Sequence, residues 1–509
     1  MYDNLINMME SAPEQSTSST GNIPKNYTVY NCHTHTFTID HVPNNFGKKV
    51  MPVLYQVITM KVVKWYYLNL TYRNNNYKRF IHKCNKVKHF FLDILKFTRV
   101  LYWLYTLILF FCKWLFKMLI NILALSNLFS KQSKAAFKRF TTIGRYATYS
   151  KSGQRKVFDL LEKTYDTNTK FVVLPMDMDY MEAGKPIANY MAQLDELLKV
   201  KKNNQDQLLP FVFVDPRRIV DPSININGFS YQAYVKRNLS RENFHGIKLY
   251  PALGYYPFDK HLIDTYKFAQ EHQIPITTHC IEGTVFFRGK KKMEWDGHPI
   301  LKYTKKKEQG PIPIPLPQTK NFDFTTNFSH PLNYHCLLDK DLLSDYLGET
   351  VDLSQLKICL AHFGGSKEWQ RYTEDNWNNY NNNISHSSRV DYFNRKIKNT
   401  LNHGSTRTIW WNASWLSIIY DLMIKYDGVY TDISFIIFNE ELFPLLKYLL
   451  QDDKVKDKIL FGTDYYVVAQ KNTEKALFQN LRSYIGEDLF YLISHVNPKR
   501  FLSTSWTTY

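Results

Sequence analysis

Eight short runs of apolar, β-branched and aromatic residues recur along the chain, at 27–36, 171–176, 210–215, 246–250, 275–279, 358–362, 428–432 and 458–464. Each is nearly continuous in apolar character, and most end in a polar residue of a catalytic type. Parallel strands covered on both faces read this way, because neither face needs to be polar. Between most of them lie segments with helical spacing of apolar positions, such as 187–202, 262–272 and 440–451. Eight strand–helix repeats predict an α/β fold, a (β/α)8 TIM barrel whose active site sits at the C-terminal strand ends. The alternative is an open, doubly wound sheet. It explains less well why polar residues fall at the ends of so many different strands. No Gly-x-Gly-x-x-Gly loop follows a strand, so a dinucleotide cofactor is not indicated.

Three connections are long: 36–170, 280–356 (with the proline-rich stretch 310–317) and 364–427. Connections of this length carry structure or function of their own, and in a barrel those that follow strands lie over the active-site face. The organisation predicted is an N-terminal tail with the first strand (1–36), a helical insertion between strands one and two (37–169), and the rest of the barrel (170–509).

Charge singles out the insertion. The chain has a formal net charge of +19, yet 48–157 holds 22 Lys and Arg against one acid, Asp93, and the remainder is close to neutral. Within it, 90–125 has no Pro or Gly and is apolar nearly all round, with Arg99, Thr106, Lys113, Lys117 and Asn121 on one narrow stripe. A second apolar stretch, 51–70, is interrupted by Lys61 and Lys64. Three partners are open for the insertion. It packs on the barrel or on a second copy of itself, it lies on an anionic membrane surface, or, least well explained, its basic aromatic run 72–90 tracks nucleic acid. A single membrane span is topologically awkward, since the strands flanking the insertion belong to one barrel; only two spans would return the chain, and Lys61 and Lys64 in mid-segment make that costly. The six cysteines are scattered without a Cys-x-x-Cys pair, and the polar N-terminus carries no secretory pattern. A reduced, cytoplasmic setting is expected, with peripheral attachment at the inner face of the membrane as the alternative the insertion raises.

Candidate chemistry lies at the strand ends. His33 and His35 are two apart on a strand, so both imidazoles leave on one side and can converge on a cation. The pair alone is a weak signal. Strand five adds His279, strand six His362 and strand eight Asp464. Three of these four imidazoles with the carboxylate suit Zn2+, with Mn2+ or Fe2+ as alternatives. Singly, His279 and His362 read equally well as hydrogen-bonded core histidines, and Asp464 as a helix cap.

Together, His33-x-His35, His279, His362-Phe-Gly-Gly and Gly462-Thr-Asp464 resemble the amidohydrolase superfamily. The likeness is to its amidohydrolase-related branch, which includes the aminocarboxymuconate-semialdehyde decarboxylase type. Gly246-Ile-Lys-Leu-Tyr-Pro251 and Asn497-Pro-Lys-Arg500 also resemble that branch, and the insertion does not. The resemblance implies a divalent metal, most simply Zn2+, held by His33, His35, His279 and Asp464. It implies that the metal acidifies a water, that Asp464 takes or delivers a proton, and that His362 polarises the substrate or acts as acid or base. In some superfamily members a strand-four lysine bridges two metals; Lys248 is followed by Leu-Tyr-Pro, which favours a structural or substrate-orienting role.

Asp177 and Asp179 follow strand two, and Asp215, Arg217 and Arg218 follow strand three. Arg217 or Arg218 is a candidate clamp for a substrate carboxylate, although turn chemistry accounts for Asp215-Pro216 as well. Tyr250, Tyr255 and Tyr256 are candidate pocket walls. The expectation is a metal-dependent hydrolase opening an amide, ester or lactone bond of a small-molecule substrate. A non-oxidative decarboxylase of a small carboxylic acid is the alternative with the same ligands. An inactive barrel serving as a membrane-associated interaction protein is a third.

Overall fold

The structure is a computed structural model that describes residues 23–24, 26–46, 153–204, 206–240, 242–283, 285–304, 310–380, 406–465 and 473–506, with eight helical positions between Trp103 and Met118. Eight strands form one parallel sheet: β1 (Val29–Thr34), β2 (Thr169–Val173), β3 (Leu208–Phe213), β4 (Gly246–Leu249), β5 (Ile276–His279), β8 (Ile358–Ala361), β9 (Val429–Asp432) and β10 (Ile459–Leu460), paired in that order. Backbone bonds close the ring between its ends: Cys32 N donates to the Phe461 carbonyl (2.8 Å), Asp464 N to that of His33 (2.9 Å) and His35 N to that of Tyr465 (2.8 Å). The fold is a (β/α)8 barrel. All eight expected strands are present, and β3, β4, β5 and β8 are buried along their whole length, as their unbroken apolar sequences require.

The expected helices are observed as Tyr190–Asn203, Ile263–Glu271 and Phe443–Gln451, the last preceded by a 3-10 turn, Glu440–Leu442. The barrel interior is packed by Tyr30, Cys32, Val172, Leu174, Leu209, Phe211, Cys359 and Leu460. Phe501 and Leu502 of the C-terminal helix Asn497–Leu502 pack against this group. The connection 280–356 carries what its prolines hide, an antiparallel pair of β6 (Gly297–Tyr303) and β7 (Ile312–Pro315).

Two compact units divide the chain: Met1–Thr36 with Phe158–Glu182 and Tyr190–Tyr509, which holds the barrel, and Phe37–Val157 with Ala183–Asn189. In the second unit the turn Ile39–His41 is capped by Thr38, and the Asp40 carbonyl accepts from Ile187 N and Ala188 N. The helix expected over 90–125 is helical at every described position: Trp103, Leu104, Leu107, Phe110, Phe111, Trp114, Leu115 and Met118. Its other positions, and the stretches 51–70 and 72–90, lie outside the described residues. No helix among the described residues is long and apolar enough to cross a membrane.

Candidate metal centre

His33 reaches the centre through an irregularity in β1. The pairing of β1 with β2 slips between Asn31 and Thr34, so two successive residues turn inward. Cys32 joins the core cluster that includes Cys359, while His33 Nδ1 meets Asp432 Oδ2 at 2.9 Å. Bulges re-aim side chains in this way beside active sites. Asn31 keeps the opposite face. Its side chain bonds the Tyr165 hydroxyl (3.2 Å) and Thr463 Oγ1 (2.9 Å), and its Oδ1 accepts from Thr463 N (3.2 Å). Across the seam, Gly462 lets the last strand end come close to β1, since a Cβ there would lie 2.8 Å from His33 Cβ. Asp464 then turns back with φ +56°, beside His33 and His35. His362, Phe363 and Phe435 also hold positive φ around the cluster. Non-glycine residues adopt that conformation at a cost of about 1–3 kcal/mol each, and such strain gathers at functional sites.

The hydrogen bonds assign the imidazole tautomers. Ser434 Oγ donates to Asp432 Oδ1, which leaves it to accept from His362 Nδ1 (2.8 Å). His362 Nε2 then accepts from His279 Nδ1 (3.2 Å). His33 Nδ1 donates to Asp432, and His35 Nδ1 donates to the Leu174 carbonyl (2.7 Å). In the neutral rings, the Nε2 atoms of His33, His35 and His279 are therefore all lone-pair acceptors.

Those acceptors converge on another. His35 Nε2 is 3.2 Å and His33 Nε2 3.8 Å from Asp464 Oδ1. Lone pairs that face each other in a buried site repel unless a proton or a cation lies between them. Nε2 of His33 and of His279 are buried with no hydrogen-bond partner. Space beside His279 Nε2 is kept by Gly283, whose Cβ would come within 3.1 Å of it and 3.2 Å of the Tyr250 hydroxyl. His33, His35 and Asp464 can each place a ligand atom within 4.8 Å of the others. His279 stands one ring further on, with its centroid 4.9 Å from that of His362, which is in turn 4.7 Å from His33. Burial is the largest effect on His33, His279 and His362, and holds all three well below the ordinary imidazole value. Neutral imidazole is the form that binds metal. The donor set fits a divalent cation.

Asp432 and Ser434 belong to the same hydrogen-bonded cluster, and strand patterning did not single them out. Asp432 closes β9, and its carboxylate also accepts from His362 N (3.0 Å) and Ser434 N (3.0 Å). A carboxylate at a strand end was the available signal. Lys248 is buried within β4, 5.9 Å from the Tyr250 ring. Burial lowers its ammonium to about 8, against the opposing pull of Asp432 and Asp464. Arg217 is bonded within the fold. Its guanidinium holds both Asp215 oxygens (2.9 and 2.6 Å) and the Tyr180 carbonyl (3.0 Å). Asp215 also caps the turn Pro216–Ile219, and Arg218 grips Asp177 (2.5 and 2.9 Å) and Asp179 (2.6 Å). These groups form an ion-pair lattice at the ends of β2 and β3. Of the three tyrosines, Tyr250 reaches the cluster, stacked on His279 with centroids 3.9 Å apart. Arg288, which the sequence did not single out, lies buried 3.5 Å from the Phe286 ring centroid, and burial lowers it to about 9.

No protein-family model matches the chain, and no curated protein does. Solved structures do resemble it. A 5-carboxyvanillate decarboxylase from Novosphingobium aromaticivorans, complexed with manganese, is 12% identical over 69% of this chain and 80% of its own, with a TM-score of 0.38. A probable 2-pyrone-4,6-dicarboxylic acid hydrolase from Acinetobacter baumannii is 10% identical over 68% and 88%, with a TM-score of 0.36. An uncharacterised TIM-barrel protein from Bordetella bronchiseptica is 12% identical over 68% and 81%, at 0.37. Likeness this distant leaves function to the side chains of the site.

Proposed function

We propose that the chain is a metal-dependent hydrolase of the amidohydrolase type, acting on an amide, ester or lactone bond. The observation that supports this most strongly is the convergence of buried acceptor atoms from His33, His35 and Asp464 at the C-terminal end of the barrel, the end at which barrel enzymes place their chemistry. A divalent cation held by His33, His35, His279 and Asp464, with zinc the first expectation, would supply Lewis acidity toward a carbonyl and a water. Asp432 holds the His33 ring and its tautomer. Asp464 is placed to take a proton at its carboxylate, and His362, tied through Nδ1 to Ser434, to exchange one at Nε2 when the bond it accepts there from His279 Nδ1 is released.

Elemental analysis of protein purified without chelator tests the cation. A screen of lactones, esters and amides by acid release, run beside CO2 capture from small carboxylic acids, tests the reaction. The expected result is one divalent metal per chain and hydrolysis, both lost in His33→Ala. CO2 release in place of hydrolysis would reassign the enzyme as a decarboxylase. Metal-free protein indifferent to His33→Ala would make the barrel an interaction scaffold.

A further inference from the structure

We infer that the helical face bearing Trp103, Phe110 and Trp114 docks on an anionic lipid surface. All eight described positions of this helix carry large apolar side chains, and all are exposed, Phe110 the most at 71% and Trp103 at 61%. At 100° per residue the eight fall within an arc of roughly 140°, and in the sequence the apolar character of 90–125 continues well beyond that arc. On a helical wheel of the sequence, Arg99, Lys113 and Lys117 map to one edge of that arc. A wide apolar face with cations gathered on a narrow stripe beside it is the pattern of a helix lying in a bilayer interface, with aromatic rings at the boundary between acyl chains and headgroups.

Charge selects the occupant. Residues 48–157 hold 22 basic residues and one acid. A second copy of this chain would bring the same excess against it, and repulsion opposes that pairing. Nucleic acid would answer the charge and leave eight apolar side chains in water. An anionic bilayer answers both, with each Lys or Arg near its surface adding to the attraction. Attachment is from one side. The strands that flank the insertion, β1 and β2, are neighbours in one barrel, so the chain returns to the side it leaves.

The test is flotation of the full chain with vesicles of phosphatidylcholine alone, and of phosphatidylcholine mixed with phosphatidylglycerol. Wild type is expected to float with the mixed vesicles only, and to be released as salt screens the headgroups. The double variant Phe110→Ser, Trp114→Ser leaves the charge unchanged and should lose about tenfold or more in partitioning. Leu107→Ser with Phe111→Ser is the independent repeat, and unchanged circular dichroism shows that each variant is folded. Failure of wild type to float, equal flotation with both vesicle types, or full binding by both variants would each overturn the inference. A dimer of the wild type dissolved by the same variants would also overturn it, by assigning the face to a second copy.

Discussion

At the scale of single residues, the candidate centre is oriented by a carboxylate outside the proposed ligand set. Asp432 accepts the Nδ1 proton of His33, 399 positions away in sequence, and so points the His33 Nε2 lone pair at Asp464. Removing such a support typically weakens metal binding 10–100-fold. Asp432→Asn is therefore expected to lower divalent-metal affinity by that factor in a chelator competition. Its amide presents a donor where the carboxylate presents only acceptors, which favours the wrong His33 tautomer. Affinity within twofold of wild type would remove the orienting role. The five residues read from the sequence were legible because imidazoles and a carboxylate at strand ends have few other uses in combination. Asp432 and Ser434 were not, because their partners are assembled only by ring closure. Arg217 shows the other side of the reading: an arginine two residues after an aspartate in a tight turn is bonded to it, as the turn chemistry of Asp215-Pro216 allowed.

At the scale of elements, the barrel is sealed where its first and last strands meet, and the seal is polar. Glu474 Oε1 accepts from the hydroxyls of Tyr165 (2.6 Å) and Thr463 (2.6 Å), and Asn31 completes the group from β1. Burial raises the Glu474 carboxyl to about 7. Since Thr463 precedes Asp464 and Asn31 Oδ1 also accepts from His33 N (3.3 Å), this network sets the spacing between two candidate ligands. Asn31→Ala takes the nearer acceptor (3.2 Å) from Thr463 N, leaving it the longer bond to the His33 carbonyl (3.4 Å), and removes one donor from Glu474. The expected loss is about 3 kcal/mol of unfolding free energy in urea titration, with weaker metal binding in the same protein. Loss of stability with metal affinity intact would confine the network to structure. The eight strands themselves were legible, because a strand buried on both faces has only one kind of sequence. The β6–β7 pair was not: Pro313 and Pro315 read as breakers, and prolines are tolerated there because the pair has only edges.

At the scale of the whole barrel unit, segments from separate connections meet in an aromatic layer with buried histidines at its centre. His298 of β6 lies 5.1 Å from Trp410, centroid to centroid, and His330 stacks on the same indole at 3.8 Å. Neither residue carried a sequence signal, since each is defined by a tryptophan from the helix Thr406–Asn412. Burial holds His298 at about 4 and His330 at about 3, against an ordinary value of 6.5. The sign follows from where the protons go. Below pH 6.5 the unfolded chain binds a proton at each imidazole, while the folded chain refuses it until its own lower value is reached. Stability is therefore whole above 6.5 and is lost as pH falls through that window, at about 1.4 kcal/mol per pH unit for each group. Burial raises the carboxyls of Glu474, Asp177 and Asp421 to about 7, 6 and 8, and these pull the slope the other way across this range, so the difference between variant and wild type is what reports the histidine. His330→Phe keeps a ring against Trp410 and removes one titrating group. Urea unfolding of metal-free protein across that window should show the variant's slope shallower by one proton. Equal slopes would mean that His330 takes up its proton in the folded barrel, and that the aromatic layer opens to water well before the ring of strands comes apart.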